Sequence, residues 1–171
     1  MWRILKRIPA QHPLAFGLGI STVKTSACDL LVQVAIERKK EIDWKRNVFF
    51  GLFGFTYLGG FQYALYVPIF GRIFPKAAEF AAKPIKEKVK DGEGLKALFG
   101  QLFLDQFVVS PFIYFPAFYA FGEACCAEKP DFSRAMDAYK ENMKEDLMAC
   151  WKIWVPSMLL NFSLMPLWGR M

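Results

Sequence analysis

Five polar residues stand inside long apolar stretches of the sequence, where they could line a path for small polar solutes. They are Asp29, Gln33, Asp105, Gln106 and Asn161. Polar and ionisable groups in such segments are costly, and they usually face a bundle interior or a wet cavity. The same side chains could instead join helices through interhelical hydrogen bonds, each worth about 0.6 kcal/mol on average. Both interpretations stay open. The two carboxylates favour a role other than helix packing, because an amide would serve for packing alone.

The residue types needed for common catalytic and metal chemistry are scarce in this chain. His12 is the single histidine, which excludes a histidine cluster for a metal and a His-based triad. Cys125 and Cys126 are adjacent and lack the C-x-x-C spacing of redox and zinc motifs, so we expect all four cysteines to be free thiols. The sequence also lacks a P-loop and a G-x-G-x-x-G motif. We therefore expect no catalysis, no metal and no cofactor.

The composition of the chain is unusually apolar, and it indicates which helices carry the polar residues. Of 171 residues, 54% are hydrophobic and 17% aromatic, with 18 Phe among them. The apolar residues fall into four blocks, at 14–36, 48–70, 95–121 and 147–168. A helix of about 20 residues crosses the hydrocarbon of a bilayer, and the second block contains no charge. The sequence thus predicts an all-α integral membrane bundle of four transmembrane helices, forming one domain over residues 14–171.

Spacing within the blocks predicts which residues share a helix face. The predicted polar faces are Thr22, Ser26, Asp29 and Gln33 in the first span, Gln101 and Asp105 with Gln106 beside them in the third, and Ser157 and Asn161 in the fourth. Two pairs of small residues, Gly17/Ser21 and Gly60/Ala64, predict close approach of helices.

The charged residues lie between the blocks, and two of the linkers have helical patterns. Residues 74–89 are rich in lysine and predict an amphipathic helix at the membrane interface, which Pro84 would break. In the following linker, apolar residues recur at spacings of four, three, four and four. They are Phe132, Met136, Tyr139, Met143 and Leu147, which predict one apolar face of a helix.

The first 13 residues form a basic, amphipathic segment without an acidic residue. Such a composition is typical of organelle-targeting segments, so we expect an interfacial anchor and favour the mitochondrion over the peroxisome. The net charge of +6 does not indicate nucleic-acid binding, because the basic residues are scattered among the linkers. Attraction to anionic lipids such as cardiolipin is the simpler interpretation. Lysine and arginine are nearly balanced between the two sides, so the orientation of the termini stays open.

Several short motifs follow one another in a fixed order along the blocks. They comprise His12-Pro13 followed by Asp29 and Gln33, then Asp43 with Arg46, then Asp105-Gln106 with Pro111, and finally Trp154, Asn161, Phe162, Pro166 and Arg170. Each is weak alone, but in this order the chain resembles, from His12 to Arg170, the Mpv-seventeen/peroxisomal membrane protein twenty-two family of four-span organelle membrane proteins. The resemblance implies an intrinsic protein of the mitochondrial inner membrane or the peroxisome, and a candidate non-selective pore for small solutes.

The second span departs from the pattern of that family, because only Gly59 and Tyr66 of its motif are present. This departure and the phenylalanine-rich surface favour a non-catalytic accessory subunit, packed against other membrane subunits of an inner-membrane complex. The alternative is a small-solute or ion pore, lined by the five polar residues named first.

Overall fold

The computed structural model describes residues 11–165, and within them the chain forms helices and no strand. Four of these helices are long and apolar enough to cross a membrane, with 24, 30, 35 and 33 residues. They are α1 (Pro13–Ile36), α2 (Trp44–Ile73), α5 (Gly92–Cys126) and α6 (Phe132–Leu164). Two short helices, α3 (Lys76–Ala82) and α4 (Ile85–Lys88), lie between α2 and α5. The predicted all-α fold with four membrane-length helices is confirmed, and the chain is a multi-pass membrane protein.

The described residues group into two compact units. The first contains residues 11–64 together with Ala120–Phe132, and the second contains Leu65–Tyr119 together with residues 133–165. In the first unit, the rings of Phe49 and Phe53 pack against Phe121, with centroids 6.3 and 5.9 Å apart. The core of the second unit is built from aromatic and aliphatic side chains of α2, α3, α5 and α6, namely Leu65, Tyr66, Phe70, Phe80, Leu98, Leu102, Val109, Met158 and Phe162.

Parts of the long helices are wound as a wider π-helix, in which each backbone N–H donates to the carbonyl five residues earlier (here called five-residue turns). Within residues 11–165 these parts are Val32–Ile36, Gly54–Phe61, Leu65–Ile69 and Leu104–Tyr114. Two of them contain a proline, Pro68 and Pro111. Proline has no N–H group and therefore leaves a carbonyl of the preceding turn without its backbone donor. π-helical turns of this kind often mark functional sites.

The wider turns change which glycines allow α1 and α2 to approach each other. A Cβ atom on Gly54 would lie 2.8 Å from the carbonyl oxygen of Ser21, and one on Gly59 would lie 2.7 Å from Leu18 Cα. Gly17 and Ser21 are both buried, which confirms the first predicted pair. The second predicted pair is wrong, because a Cβ on Gly60 would meet only ordinary contacts at 3.6 Å and beyond. The prediction assumed α-helical spacing, whereas five-residue turns place Gly54 and Gly59 on one side.

The linker helices partly follow the prediction. The chain breaks between α3 and α4 at Lys83 and Pro84, as expected, and the buried Lys88 amine donates to the carbonyls of Ala81 and Ser163 at 2.9 and 2.6 Å. The helix predicted from Phe132 is also present, but it is continuous with the fourth span. In the sequence, the charged residues of the linker suggested a boundary between this helix and the fourth span. In the structure the helix is continuous, because no proline or glycine interrupts it before Pro156.

Candidate functional site

The first polar group, here called the Asp29 cluster, consists of Ser26, Asp29, Gln33, Arg46 and Asn47. The Asp29 side chain is buried, and the whole residue is only 4% exposed. Its Oδ1 atom lies 2.7 Å from Arg46 Nε, forming an ion pair. Its Oδ2 atom accepts hydrogen bonds from Gln33 Nε2 at 2.8 Å and from Asn47 Nδ2 at 3.1 Å. Within residues 11–165, Oδ1 therefore has an ion-pair partner but no hydrogen bond of good geometry, whereas Oδ2 has two hydrogen bonds, and the negative charge faces a guanidinium.

The Asp29 cluster joins the end of α1 to the start of α2. The fully buried Gln33 accepts from the backbone N–H of Asp43 at 2.7 Å. Asp43 caps α2 in turn, because its side chain accepts from the N–H of Arg46 at 2.9 Å. Ser26 donates to Asn47 Oδ1 at 2.8 Å, and Asn47 Nδ2 donates back to the Ser26 carbonyl at 2.9 Å. The three-residue spacing of Asp43 and Arg46 is thus that of an N-cap and the helix turn that it closes.

The outer side of the Asp29 cluster continues into the charged linker. Arg46 Nη1 donates to both oxygens of Glu37, at 2.8 and 3.0 Å, and Lys39 lies 3.4 Å from the same carboxylate. The hydrogen bond from Arg46 lowers the pKa of Glu37 below its usual value of 4.5. Arg46 therefore bridges a buried carboxylate and an exposed one.

The second polar group, here called the Asp105 cluster, consists of Tyr66, Asp105, Gln106, Ser110 and Trp151. Asp105 is 4% exposed. Its Oδ1 atom accepts from the Tyr66 hydroxyl at 2.7 Å, and its Oδ2 atom accepts from Gln106 Nε2 at 2.6 Å. Among residues 11–165, no cation forms an ion pair with this carboxylate. Asp105 is thus held by neutral hydrogen-bond donors, in contrast to Asp29.

Side chains around Asp105 also supply hydrogen-bond donors to the backbone carbonyls near Pro111. In the five-residue turns of this segment, the carbonyl of Gln106 would accept from residue 111, which has no N–H. Trp151 Nε1 donates to that carbonyl instead, at 3.0 Å. Ser110 Oγ donates to the Asp105 carbonyl at 3.0 Å, and the Tyr139 hydroxyl donates to the Pro111 carbonyl at 2.6 Å. Two aromatic residues of α6 therefore satisfy backbone carbonyls of α5.

The structure distributes the five predicted polar residues over both units. Asp29 and Gln33 lie in the first cluster, and Asp105 and Gln106 lie in the second. Asn161 belongs to neither set of hydrogen bonds described above, and its Nδ2 atom lies 3.7 Å from Met158 Sδ. The predicted stripe on α1 is confirmed for Ser26, Asp29 and Gln33. Thr22 also faces α2, because its Cγ2 atom lies 4.0 Å from the place of a Cβ atom on Gly51, and its hydroxyl donates to the Leu18 carbonyl.

Most of the remaining motif positions have a local structural role. Pro13 is the first residue of α1, where its missing N–H costs nothing. The Phe162 ring lies perpendicular to that of Tyr66, with 5.5 Å between centroids. Trp154 is 50% exposed. The last two motif positions, Pro166 and Arg170, lie outside the described residues.

Asn47 and Trp151 contribute to the clusters but were not predicted from the sequence. Asn47 lies just before the apolar block at 48–70, so it did not stand out as a polar residue inside an apolar stretch. Trp151 had a usable signal, because a proline inside an apolar helix leaves a carbonyl unpaired and a buried indole N–H needs an acceptor.

Neither cluster has the composition of a metal centre. Among residues 11–165 there is no group of three or more His, Cys, Asp or Glu side chains that could hold a metal ion. The four cysteines are free thiols, as predicted. Comparison of the chain with protein-family models, with curated proteins and with solved structures gives no match.

Proposed function

We propose that this chain is a non-catalytic structural subunit of a larger membrane complex. The observation that carries the proposal is that both intramembrane carboxylates are occupied by side chains of this chain. Asp29 is bound by Arg46, Gln33 and Asn47, and Asp105 is bound by Tyr66 and Gln106. Polar groups that line a solute path must exchange partners with water, whereas these groups connect helices. The arrangement favours a rigid scaffold.

The outer surface supports the same proposal. Large apolar side chains are exposed on all four long helices, among them Val23, Phe55, Phe112 and Leu160. Within a membrane, such a surface suits lipid tails or the spans of other subunits. In the linker after α2, exposed apolar residues (Ile85 and Val89) alternate with exposed lysines (Lys86 and Lys90). This pattern suits a membrane interface with anionic lipids such as cardiolipin.

The proposed location is the mitochondrial inner membrane, with the peroxisomal membrane as the alternative. It is supported by the basic segment at the start of the sequence, whose basic residues, Arg3, Lys6 and Arg7, lie outside the described residues. The resemblance to the Mpv-seventeen family is part of the proposal. In its support, motif residues that are separated in sequence serve joint roles, since Asp43 caps the turn that presents Arg46, and Gln106 offers the carbonyl that Pro111 leaves free.

Mild detergent extraction, native electrophoresis and mass spectrometry test the subunit function. We expect the chain to migrate with other membrane proteins at a constant ratio. Migration as a monomer or a small homo-oligomer would contradict the proposal.

One observation favours the alternative function, a small-solute or ion pore. The buried oxygens Ser21 Oγ and Gln106 Oε1 have no hydrogen-bond partner within residues 11–165. Ser21 belongs to the first unit and Gln106 to the second, and water reaching either oxygen would satisfy it. Conductance of the purified chain in liposomes, compared with its Asp29→Asn and Asp105→Asn variants, tests this function. An electrically silent wild-type protein would exclude it, and unchanged conductance in both variants would exclude a path lined by these carboxylates.

A further inference from the structure

Lys24 lies at the middle of α1 with its side chain on the outer surface. The helix runs from Pro13 to Ile36, so either end is about 17 Å from Lys24 at a rise of about 1.5 Å per residue. A lysine near the end of a span can extend its amine to the interface, where the charge is hydrated. From the middle of α1, a four-carbon side chain is much too short to do so.

The surroundings of Lys24 provide no counter-charge. Within residues 11–165, Lys24 forms no ion pair or hydrogen bond. The nearest carboxylate along the helix, Asp29, is buried and paired with Arg46. The exposed neighbours of Lys24 are Cys28 and four apolar residues, namely Ile20, Val23 (65% exposed), Ala27 and Leu31 (63% exposed). These four residues and Lys24 are here called the Lys24 face.

A charge inside a span pairs with an opposite charge or faces a wet cavity. Lipid phosphates lie at the interface, too far from the middle of α1 to meet the amine. A second copy of this chain cannot supply the partner either, because its four apolar blocks contain only two carboxylates, Asp29 and Asp105. Both are 4% exposed and already hydrogen-bonded within their own chain.

We therefore propose that the Lys24 face docks against a transmembrane helix of a different protein, one that carries an Asp or Glu at the same depth. The inference rests on the proposed subunit function and specifies the chemistry of the partner. The apolar residues on either side of Lys24 would pack against that helix and exclude water. The ion pair would fix the depth of the two helices relative to each other, because any sliding would separate the charges.

Substitution of Lys24 in the full chain tests the ion pair. Complexes containing wild-type, Lys24→Met or Lys24→Arg chains are extracted in mild detergent, and the partner bound per chain is measured by mass spectrometry. We expect Lys24→Met to reduce the bound partner by about tenfold or more, and Lys24→Arg to retain it. The matched control is Lys96→Met, which removes an exposed lysine at the start of a span and should have no effect. A complex that stays intact with Lys24→Met would overturn the inference.

A measurement of folding keeps this test decisive. Lys24→Met removes a charge from an apolar surface, so the isolated variant should unfold at the wild-type temperature or above. If the variant unfolds at a lower temperature than the wild type, a photo-crosslinking experiment replaces the substitution test. A photo-reactive amino acid is placed at Ala27 in a chain that retains Lys24. We expect its crosslinked peptide to be an apolar segment of another protein with an Asp or Glu. Crosslinks only to lipid or to a second copy of this chain would overturn the inference.

The two proposals can fail separately. A wild-type chain that migrates alone would contradict both the subunit function and the docking of the Lys24 face. A stable hetero-complex that survives Lys24→Met, with no crosslink from position 27 to an acidic span, would contradict only the second.

Discussion

Trp151→Phe removes one hydrogen-bond donor but keeps an aromatic ring, and it tests how α5 accommodates Pro111. In the wild-type protein, the indole N–H donates to the Gln106 carbonyl at 3.0 Å. The substitution leaves this carbonyl without a donor, because Pro111 has no N–H to take its place. An unsatisfied buried polar group costs about 1–3 kcal/mol, and interhelical hydrogen bonds in membranes reach at most about 1.7 kcal/mol. We expect the free energy of unfolding to fall by about 1–2 kcal/mol.

Two further variants separate the hydrogen bond from the packing of the ring. Trp154→Phe is the matched control, because Trp154 lies one turn away in α6 and is half exposed. It should change the free energy of unfolding by less than about 0.5 kcal/mol. Pro111→Ala restores a backbone N–H that can donate to Gln106, so it should reduce the cost of Trp151→Phe when the two are combined.

Reversible unfolding in mixed micelles, titrated with a denaturing detergent, measures the wild-type protein, the three single variants and the double variant on one scale. The ring of Trp151 also contacts Phe107, with 4.7 Å between centroids, and a phenyl ring at position 151 retains part of this contact. Equal costs for Trp151→Phe with and without Pro111→Ala would refute the reasoning. In that event Trp151 would stabilise the chain through packing alone.

Three other expectations concern the first unit. Arg46→Met should lower the free energy of unfolding by about 3 kcal/mol because it leaves Asp29 buried and without its ion pair. In a double-mutant cycle, the variant that combines Arg46→Met with Asp29→Asn should lose less free energy of unfolding than the sum of the two single losses. Gly59→Ala should lower it by about 1–3 kcal/mol because the new methyl group overlaps α1, whereas Gly60→Ala, the control, should be nearly neutral in the same titration. Glu37 has a lowered pKa in the folded chain, so its stabilising contribution is complete above pH 4.5 and is lost as the pH falls through the folded-state pKa. Stability measured against pH should therefore decline less steeply in Glu37→Gln, and identical slopes would contradict this role.

The four spans and the polar stripes could be predicted because they depend on local properties. A bilayer requires about 20 apolar residues per helix, and helical spacing decides which residues share a face. Asp29 and Gln33 were therefore placed on one stripe of α1, and Gln101 and Asp105 on one face of α5 with Gln106 beside them. Composition and periodicity contain this information without reference to any other element.

The partners of those residues could not be predicted, because they come from other helices. Arg46 and Asn47 reach Asp29 from α2, and Trp151 reaches the turn before Pro111 from α6. Spacing along one helix does not say which neighbouring helix supplies a donor. The glycine contacts were assigned to Gly60 rather than Gly59 for a related reason, since the five-residue turns of α2 depend on packing that the sequence pattern does not contain.

The two carboxylates raise the question of why an acid is used where an amide would also join two helices. The neighbouring groups answer it for Asp29. Asp29 receives Arg46 and two amide nitrogens, whereas Asp105 receives the Tyr66 hydroxyl and one amide nitrogen. A hydroxyl accepts as well as donates, so an asparagine at position 105 would still find a partner in Tyr66. At position 29, Gln33 and Asn47 are held in their orientations by Asp43 and Ser26, and an asparagine would turn its own NH₂ group toward a donor. Asp29, which in the sequence pointed beyond packing, is thus what packing among these donors requires.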